Sequence, residues 1–599
     1  MNGLSRRVAL AVRMDRLRQS YGTALALFVL AVLPFLGTFG FDYTFDDRLV
    51  IENNPRLASP SELPALLTTQ LFEGQRQTAN YRPFLLLTFA VQTWIHGPDP
   101  GLYRVVNVLL HGLTTVLVAA WLLAIAVPRR SALAAAAVFA VIPIHVEAVT
   151  SLVGRAEVLA AALVLLGAIL FRRAVSGERL RVGPYLACLA ALTLAAFSKE
   201  SAIVAPGLLG LGEAFQAFER NERIRRRILP WLGTLLPFVL LLAVRAAVLG
   251  GVVNTSTTRI TEIENPLVTM SAPLRILNAA NLLFMYPAKT LVPVHMAADH
   301  SAHALPLATS ASSPRAWGGA AALTVLLAVS VALFRKGRAL PLFGVLLFLG
   351  TLFPLSNFPA VVGPPYADRL AYVPSIGILV AALALFVPQR IQDGWAAPLL
   401  LSGALVLFAS LTVDRNLVWQ NDLTLFSDMV AKRPGNAKAR FALGSVLDRL
   451  GRREEARVET ETALRLYPRF PEALTLLGKI LWEGGDPRAG NELYRQARLL
   501  SPQDEPANWG FAKTLEAAGE LEAAGRAWDE AERAVPASYA IAFHRALFLA
   551  MAGRLEESDR AWDRAIALAP RGGRDLPARE QAKVRDRLRA RPAEGPQAR

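Results

Sequence analysis

The chain has 599 residues, 53% of them hydrophobic, with a mean hydropathy of +0.35, a formal charge of +16 and a pI near 10.3. That length is too great for one ordinary domain, and soluble globular chains seldom reach that apolar content, so a membrane segment is expected. The single cysteine, Cys188, excludes an intrachain disulfide framework and a cysteine zinc site, and reads as a small buried apolar residue.

In chain order, a basic segment with Arg6, Arg7, Arg13, Arg16 and Arg18 precedes an apolar run from Ala24 to Phe41. The run is long for a leader and lacks a small-residue cleavage site, so it reads as an uncleaved first helix. Apolar stretches then recur up to about residue 413. Crossing the hydrocarbon core takes roughly 20 helical residues. About eleven spans are predicted, at 22–41, 103–127, 132–149, 155–171, 183–198, 201–218, 229–250, 316–334, 339–356, 371–388 and 395–413. The stretch 276–294 is also apolar, but Pro287 and Pro293 interrupt it. This predicts a hairpin or partial insertion that returns to the same side.

The short connections fix an orientation. Residues 1–20, Arg129–Arg130, 172–181, 220–227, Arg335–Arg338 and 389–394 carry twenty Lys and Arg side chains on one side. The positive-inside rule places that side in the cytoplasm. The expectation is a multi-pass protein of the inner (cytoplasmic) membrane. Its N-terminus is cytoplasmic and its C-terminal half periplasmic or extracytoplasmic. Topology and contact with membrane lipid thus account for the basic charge, with no need for nucleic acid.

From residue 414 amphipathic helices with charged faces take over. Pro434, Pro468, Pro502, Pro536 and Pro570 keep a period of 34, and so do Gly451, Gly485, Gly519 and Gly553. Ala463, Ala497, Ala531 and Ala565 follow the same period. This is the tetratricopeptide (TPR) pattern, in which small residues let two helices approach and a glycine turns between them. Tyr494, Trp528 and Trp562 are the bulky residue of each second helix. The predicted organisation is a membrane domain over 1–413, a half repeat plus four full repeats over 414–570, and a basic capping helix and tail over 571–599. The fold class is all-α, a polytopic helix bundle followed by an α-solenoid. Such stacks form concave grooves that bind extended peptide.

The outward loops of the membrane half hold polar residues that packing in hydrocarbon does not require. They are Asp46-Asp47 and Asn53-Asn54-Pro55, then Tyr81-Arg82-Pro83, then Arg104, with His111 further along that span. Next come His145, Glu147, Gly154-Arg155-Ala156-Glu157 and Lys199-Glu200, and finally Asp368-Arg369-Leu370-Ala371-Tyr372-Val373-Pro374-Ser375. Carboxylates and cations gathered on one membrane face suit glycosyl transfer from a lipid-linked phosphate. A carboxylate takes the acceptor proton, and cations hold the departing phosphate.

These segments, in this order, resemble the transmembrane-and-TPR-containing O-mannosyltransferase-like proteins of the GT-C glycosyltransferase superfamily. The resemblance runs from about residue 20 to 570. It implies a GT-C-like membrane domain, a polyprenyl-phosphate-sugar donor with mannose as the first candidate sugar, and transfer to protein Ser or Thr hydroxyls on the non-cytoplasmic face. It further implies that Asp46-Asp47 is the acidic pair, with either aspartate as the base. Arg82, Arg104, Arg155, Lys199 and Arg369 are candidates for the donor phosphate. His145, Glu147, Glu157, Glu200, Asp368 and Tyr372 are candidates for the substrate pocket. No metal ligand is assigned, although an aspartate pair can also hold a divalent cation. An acceptor protein or peptide could use the TPR groove. The competing readings are a non-catalytic membrane scaffold for envelope assembly and a transporter. The second predicts charges deep in several spans, whereas here most lie at span ends.

Overall fold

The computed structural model describes residues 20–71, 80–251, 260–301, 304–387, 394–569 and 579–583. Among these every regular element is helical. The N-terminal basic segment, Arg390 and most of the 571–599 tail lie outside the described residues. The chain divides into two compact units, Met1–Pro434 and Gly435–Arg599.

In the first unit, each of the eleven predicted stretches lies on a helix. Among the described residues seven helices are long and apolar enough to cross a membrane: Ser20–Gly40, Pro100–Ala124, Arg155–Val175, Glu200–Glu219, Arg225–Leu249, Pro314–Arg335 and Ala396–Leu417. An eighth is counted if the bent pair Arg129–Val141 and Pro143–Thr150 is one span. The 55° bend falls where Pro143 removes an amide donor and its ring blocks continuation. The apolar helices Val182–Ser198, Ala339–Leu355 and Pro374–Phe386 are shorter, as is Pro83–His96, which follows Tyr81-Arg82.

The hairpin expected over 276–294 is not formed. Ala272–Leu291 is one helix with Pro287 inside it. Its asparagines latch it to the chain that follows. Asn278 exchanges hydrogen bonds with the Ala308 backbone at 2.8 and 3.0 Å, and Asn281 accepts from the Gly319 amide at 2.6 Å. With those contacts made, one missing amide near the C-terminal end does not break the helix.

Among its described residues the second unit contains four helical hairpins: Ala437–Arg449 with Arg453–Leu466, Pro471–Glu483 with Pro487–Leu500, Glu505–Ala517 with Leu521–Ala534, and Tyr539–Met551 with Leu555–Leu568. Gly451, Gly485, Gly519 and Gly553 take φ of 75–95° between the helices, which an L side chain adopts at a cost. Tyr494, Trp528, Trp562 and the period-34 alanines are buried between the helices. The helix of the expected half repeat, Asp422–Lys432, opens with an Asn421–Thr424 capping box and belongs to the first unit.

Candidate active site

The loop after the first span is held from two directions. Arg104, buried on Pro100–Ala124, donates to the carbonyls of Phe41, Asp42 and Thr150. Asp422, far along the chain, accepts from the Phe45 amide at 2.9 Å and from Arg48 Nε at 2.7 Å. Between these anchors Phe45 has a φ of +53°, a strained conformation for a bulky residue. Its ring is fixed edge-on to Phe426 at 6.0 Å.

This turn sends two consecutive aspartates to different surroundings. Asp47 is fully buried. Its Oδ1 accepts from the Val153 amide at 2.9 Å and from Ser151 Oγ at 3.3 Å, and its Oδ2 accepts from the amide and hydroxyl of Thr44 at 3.3 Å. Burial raises the Asp47 carboxyl above the usual carboxylate range, against the pull of Arg104 and of the backbone amides. Asp46 is half-buried, and among the described residues it takes no hydrogen bond and no ion pair. It lies within electrostatic reach of Arg369.

Within electrostatic reach of Asp46 lies Arg369, one of a set of residues scattered over nearly 300 positions that the structure pairs. The Arg369 amide donates to Glu147 Oε2 at 2.9 Å, and its guanidinium pairs with Glu147 Oε1. Lys199 pairs with Glu157. Arg82 pairs with Glu200 at 2.8 Å, while the Tyr81 amide donates to the same carboxylate at 3.1 Å. Lys199 feels both Arg82 and Arg369, so the three pairs form one polar centre. Burial works against the Arg369 charge, but Glu147 and Asp46 more than offset it, and its pKa is raised. Arg369 is also the most exposed of the three cations, at 29% of its side chain.

Gly154 sets the approach of the Glu157 helix to the Glu147 turn. A Cβ there would lie 2.7 Å from the Glu147 carbonyl oxygen and closer still to that of Ala148. Gly154→Ala is therefore expected to cost about 1–3 kcal/mol. It should lower the detergent-solubilised melting temperature and any activity of this centre together. An unchanged melting temperature would show that the turn yields freely.

Two expected phosphate ligands are placed elsewhere. Each of the three Arg104 nitrogens is spent on a backbone carbonyl, as above. Arg155 is fully buried, donating to Asn107 Oδ1 at 2.7 Å, the Tyr103 carbonyl at 2.9 Å and Thr88 Oγ1 at 3.3 Å, with its guanidinium over the Phe89 ring at 4.1 Å. Both are clamps that shape the loops. His145 and Tyr372 also lie behind the centre. His145 bridges the Phe139 carbonyl and Ser375 Oγ at 3.0 and 2.9 Å, and the Tyr372 hydroxyl meets His111 Nδ1 at 2.7 Å. They pin the start of Pro374–Phe386 and so the Asp368-Arg369 segment before it.

Asp368 is buried beside Lys289 and His300, neither of which stands out in the sequence. Lys289 Nζ lies 3.9 Å from Asp368 Oδ1 and 3.2 Å from His300 Nε2, and 4.8 Å over the Tyr366 ring. The available signal was Lys289, a cation close to the C-terminal end of Ala272–Leu291. Among the described residues no group of three or more His, Cys, Asp or Glu side chains could hold a metal ion.

Fold and centre together define a multi-pass membrane protein that carries a TPR solenoid. No family model matches the chain. It is similar to the human protein O-mannosyl-transferase TMTC1, with 28% identity over 485 residues, covering 73% of this chain and 54% of that one. Protein O-mannosyl-transferase F38B6.6 of Caenorhabditis elegans is 25% identical over 467 residues, covering 76% and 64%. Mouse protein O-mannosyl-transferase TMTC3 is 25% identical over 494 residues, covering 78% and 53%. The chain thus spans between about half and two thirds of the length of these curated relatives, and they agree with the resemblance carried by the loop motifs. Solved structures match a smaller part. One is the crystal structure of YrrB, a TPR protein with an unusual peptide-binding site, with 21% identity and a TM-score of 0.24, covering 29% of this chain and 90% of that one.

Proposed function

We propose that the chain is a GT-C-type glycosyltransferase that moves a sugar, mannose in the first instance, from a polyprenyl-phosphate donor to protein Ser or Thr hydroxyls on the non-cytoplasmic face. The observation that carries this reading is the charge pairing of the polar centre. Three cations are matched by three carboxylates, and Asp46 is left over, half-buried and within electrostatic reach of Arg369.

In the proposed reaction the acceptor hydroxyl oxygen attacks the anomeric carbon, and the bond from that carbon to the phosphate oxygen breaks. The phosphate leaves with the electron pair and stays on its lipid. Asp46 takes the hydroxyl proton as general base. Arg369, and secondarily Lys199 and Arg82, offset the charge growing on the leaving phosphate. Asp47 has no chemical part in this scheme and serves to position Asp46. The donor's lipid tail fits a centre built between apolar helices. The basic short loops support a cytoplasmic N-terminus, with centre and solenoid on the opposite side. The O-mannosyl-transferase names of the relatives support the mannose and the protein acceptor.

Membranes containing the protein, supplied with radiolabelled polyprenyl-phosphate-mannose, are expected to accumulate label in protein that mild alkali releases, as for a sugar on Ser or Thr. Label no higher than in membranes lacking the protein, with mannose and with other polyprenyl-phosphate sugars, would replace the transferase reading by the scaffold one.

A further inference from the structure

Asp368 and Arg369 are consecutive on the short helical turn Asp368–Ala371, yet their side chains meet different surroundings. Arg369 pairs with Glu147 and keeps 29% of its side chain exposed. The Asp368 side chain is 1% exposed, so its charge must be met from within the protein. Its Oδ1 takes no hydrogen bond among the described residues, and Lys289, at 3.9 Å, is the cation that pairs with it. Lys289 is itself held in place. Its Nζ lies 3.2 Å from His300 Nε2 and 3.5 Å from the His295 carbonyl, and 4.8 Å over the Tyr366 ring. Arg415 and Arg433 are within electrostatic reach of Lys289. Neither pairs with Asp368 among the described residues, and Arg415 is spent on Asp428 at 2.7 Å.

A buried carboxylate stripped of its partner is costly, and it seeks another cation. The next cation along the chain is Arg369 itself. Asp368 is also within electrostatic reach of Glu147, the carboxylate that aligns Arg369. Without Lys289, Asp368 would draw the Arg369 guanidinium inward and repel the Glu147 that holds it outward. We propose, resting on the reading of Arg369 as a donor-phosphate ligand, that Lys289 is a positioning residue. By cancelling the Asp368 charge it keeps Arg369 on Glu147 and open to the phosphate. Lys289 is 9% exposed and works through the neighbour of its own partner, without touching substrate.

The test measures label transfer against the concentration of polyprenyl-phosphate-mannose, in membranes containing wild type, Lys289→Met or Lys289→Met/Asp368→Asn. Rates are taken per amount of folded protein, counted by size-exclusion chromatography of a detergent extract. Lys289→Met should lose about 10- to 100-fold in kcat/KM for the donor, the scale of a displaced positioning contact, with a raised donor KM as part of the loss. A residue that only stabilised the fold would lower the amount of folded protein and leave the donor KM of the remainder unchanged. The double variant removes both charges and leaves neither unpaired in the interior. Its donor KM should return to within about threefold of wild type, a large departure from additivity. Should Lys289→Met not fold, the double variant decides. A raised donor KM there would show that one of the two side chains is needed for itself, and would overturn the proposal. An unchanged donor KM in Lys289→Met, with wild type active, would overturn it alone. Wild type without transfer, from mannose or any other polyprenyl-phosphate sugar, would fail the reading of the site and the proposal with it.

Discussion

Asp46→Asn should abolish most sugar transfer, by about 10²- to 10⁴-fold, the range that a positioned general base supplies. The fold should survive, because Asp46 makes no hydrogen bond or ion pair among the described residues that the substitution could remove. The adjacent aspartate should behave in the opposite way. Asp47→Asn keeps a carbonyl acceptor for the Val153 amide and removes a charge that burial already disfavours, but sets an NH2 against the Thr44 amide, so folded yield should fall less than in the alanine variant while the folded protein keeps most of its activity. Asp47→Ala leaves buried donors of Thr44, Ser151 and Val153 unpaired, at about 1–3 kcal/mol, and should lower folded yield. Measuring label transfer alongside melting temperature separates the two residues. Full activity in Asp46→Asn would end its role as base.

The second large effect is expected at Arg369. Truncating one preorganised donor to a developing anion costs about 10²–10³ in kcat. Arg369→Ala should lose that much, and should also leave Glu147 with only the backbone amide for company. Arg369→Lys should recover little. A lysine cannot hold Glu147 and present a second face of donors to a phosphate as a guanidinium does. Arg104→Lys and Arg155→Lys should instead be recognised by loss of folded protein, since their donors fasten backbone and ring contacts inside the bundle. Transfer by Arg369→Ala at the wild-type rate would remove the phosphate assignment.

The repeats were legible because their signal is arithmetic. A proline, glycine and alanine returning every 34 residues need no tertiary information to be read. The apolar helices were legible for a similar reason, since hydropathy acts within one segment. The helix Ala272–Leu291 escaped because its tolerance of Pro287 depends on Asn278 and Asn281 meeting partners 30 to 38 residues away. The candidate site was legible as a list of outward polar residues but not as an arrangement. Arg104, Arg155 and Arg369 look alike in sequence. Only the packing sorts two into the interior and leaves the third part-exposed. Asp46 and Asp47 are likewise equal partners until Phe45 turns the chain between them and the first helix.

That turn also bears on how the protein is made. Asp422 lies 377 positions beyond the Phe45 amide it holds. A nascent chain inserts its first helix early, but the loop that presents Asp46 has no anchor for its strained residue until the last apolar helix has followed. The centre is therefore assembled at the end of membrane insertion. A chain cut short after Ala396–Leu417 would keep the Arg104 clamp on Phe41 and Asp42, yet Phe45 and Arg48 would lack the Asp422 carboxylate that holds them. Intermediates of biogenesis would be inert towards donor lipid, and the chain would become competent in a single late step.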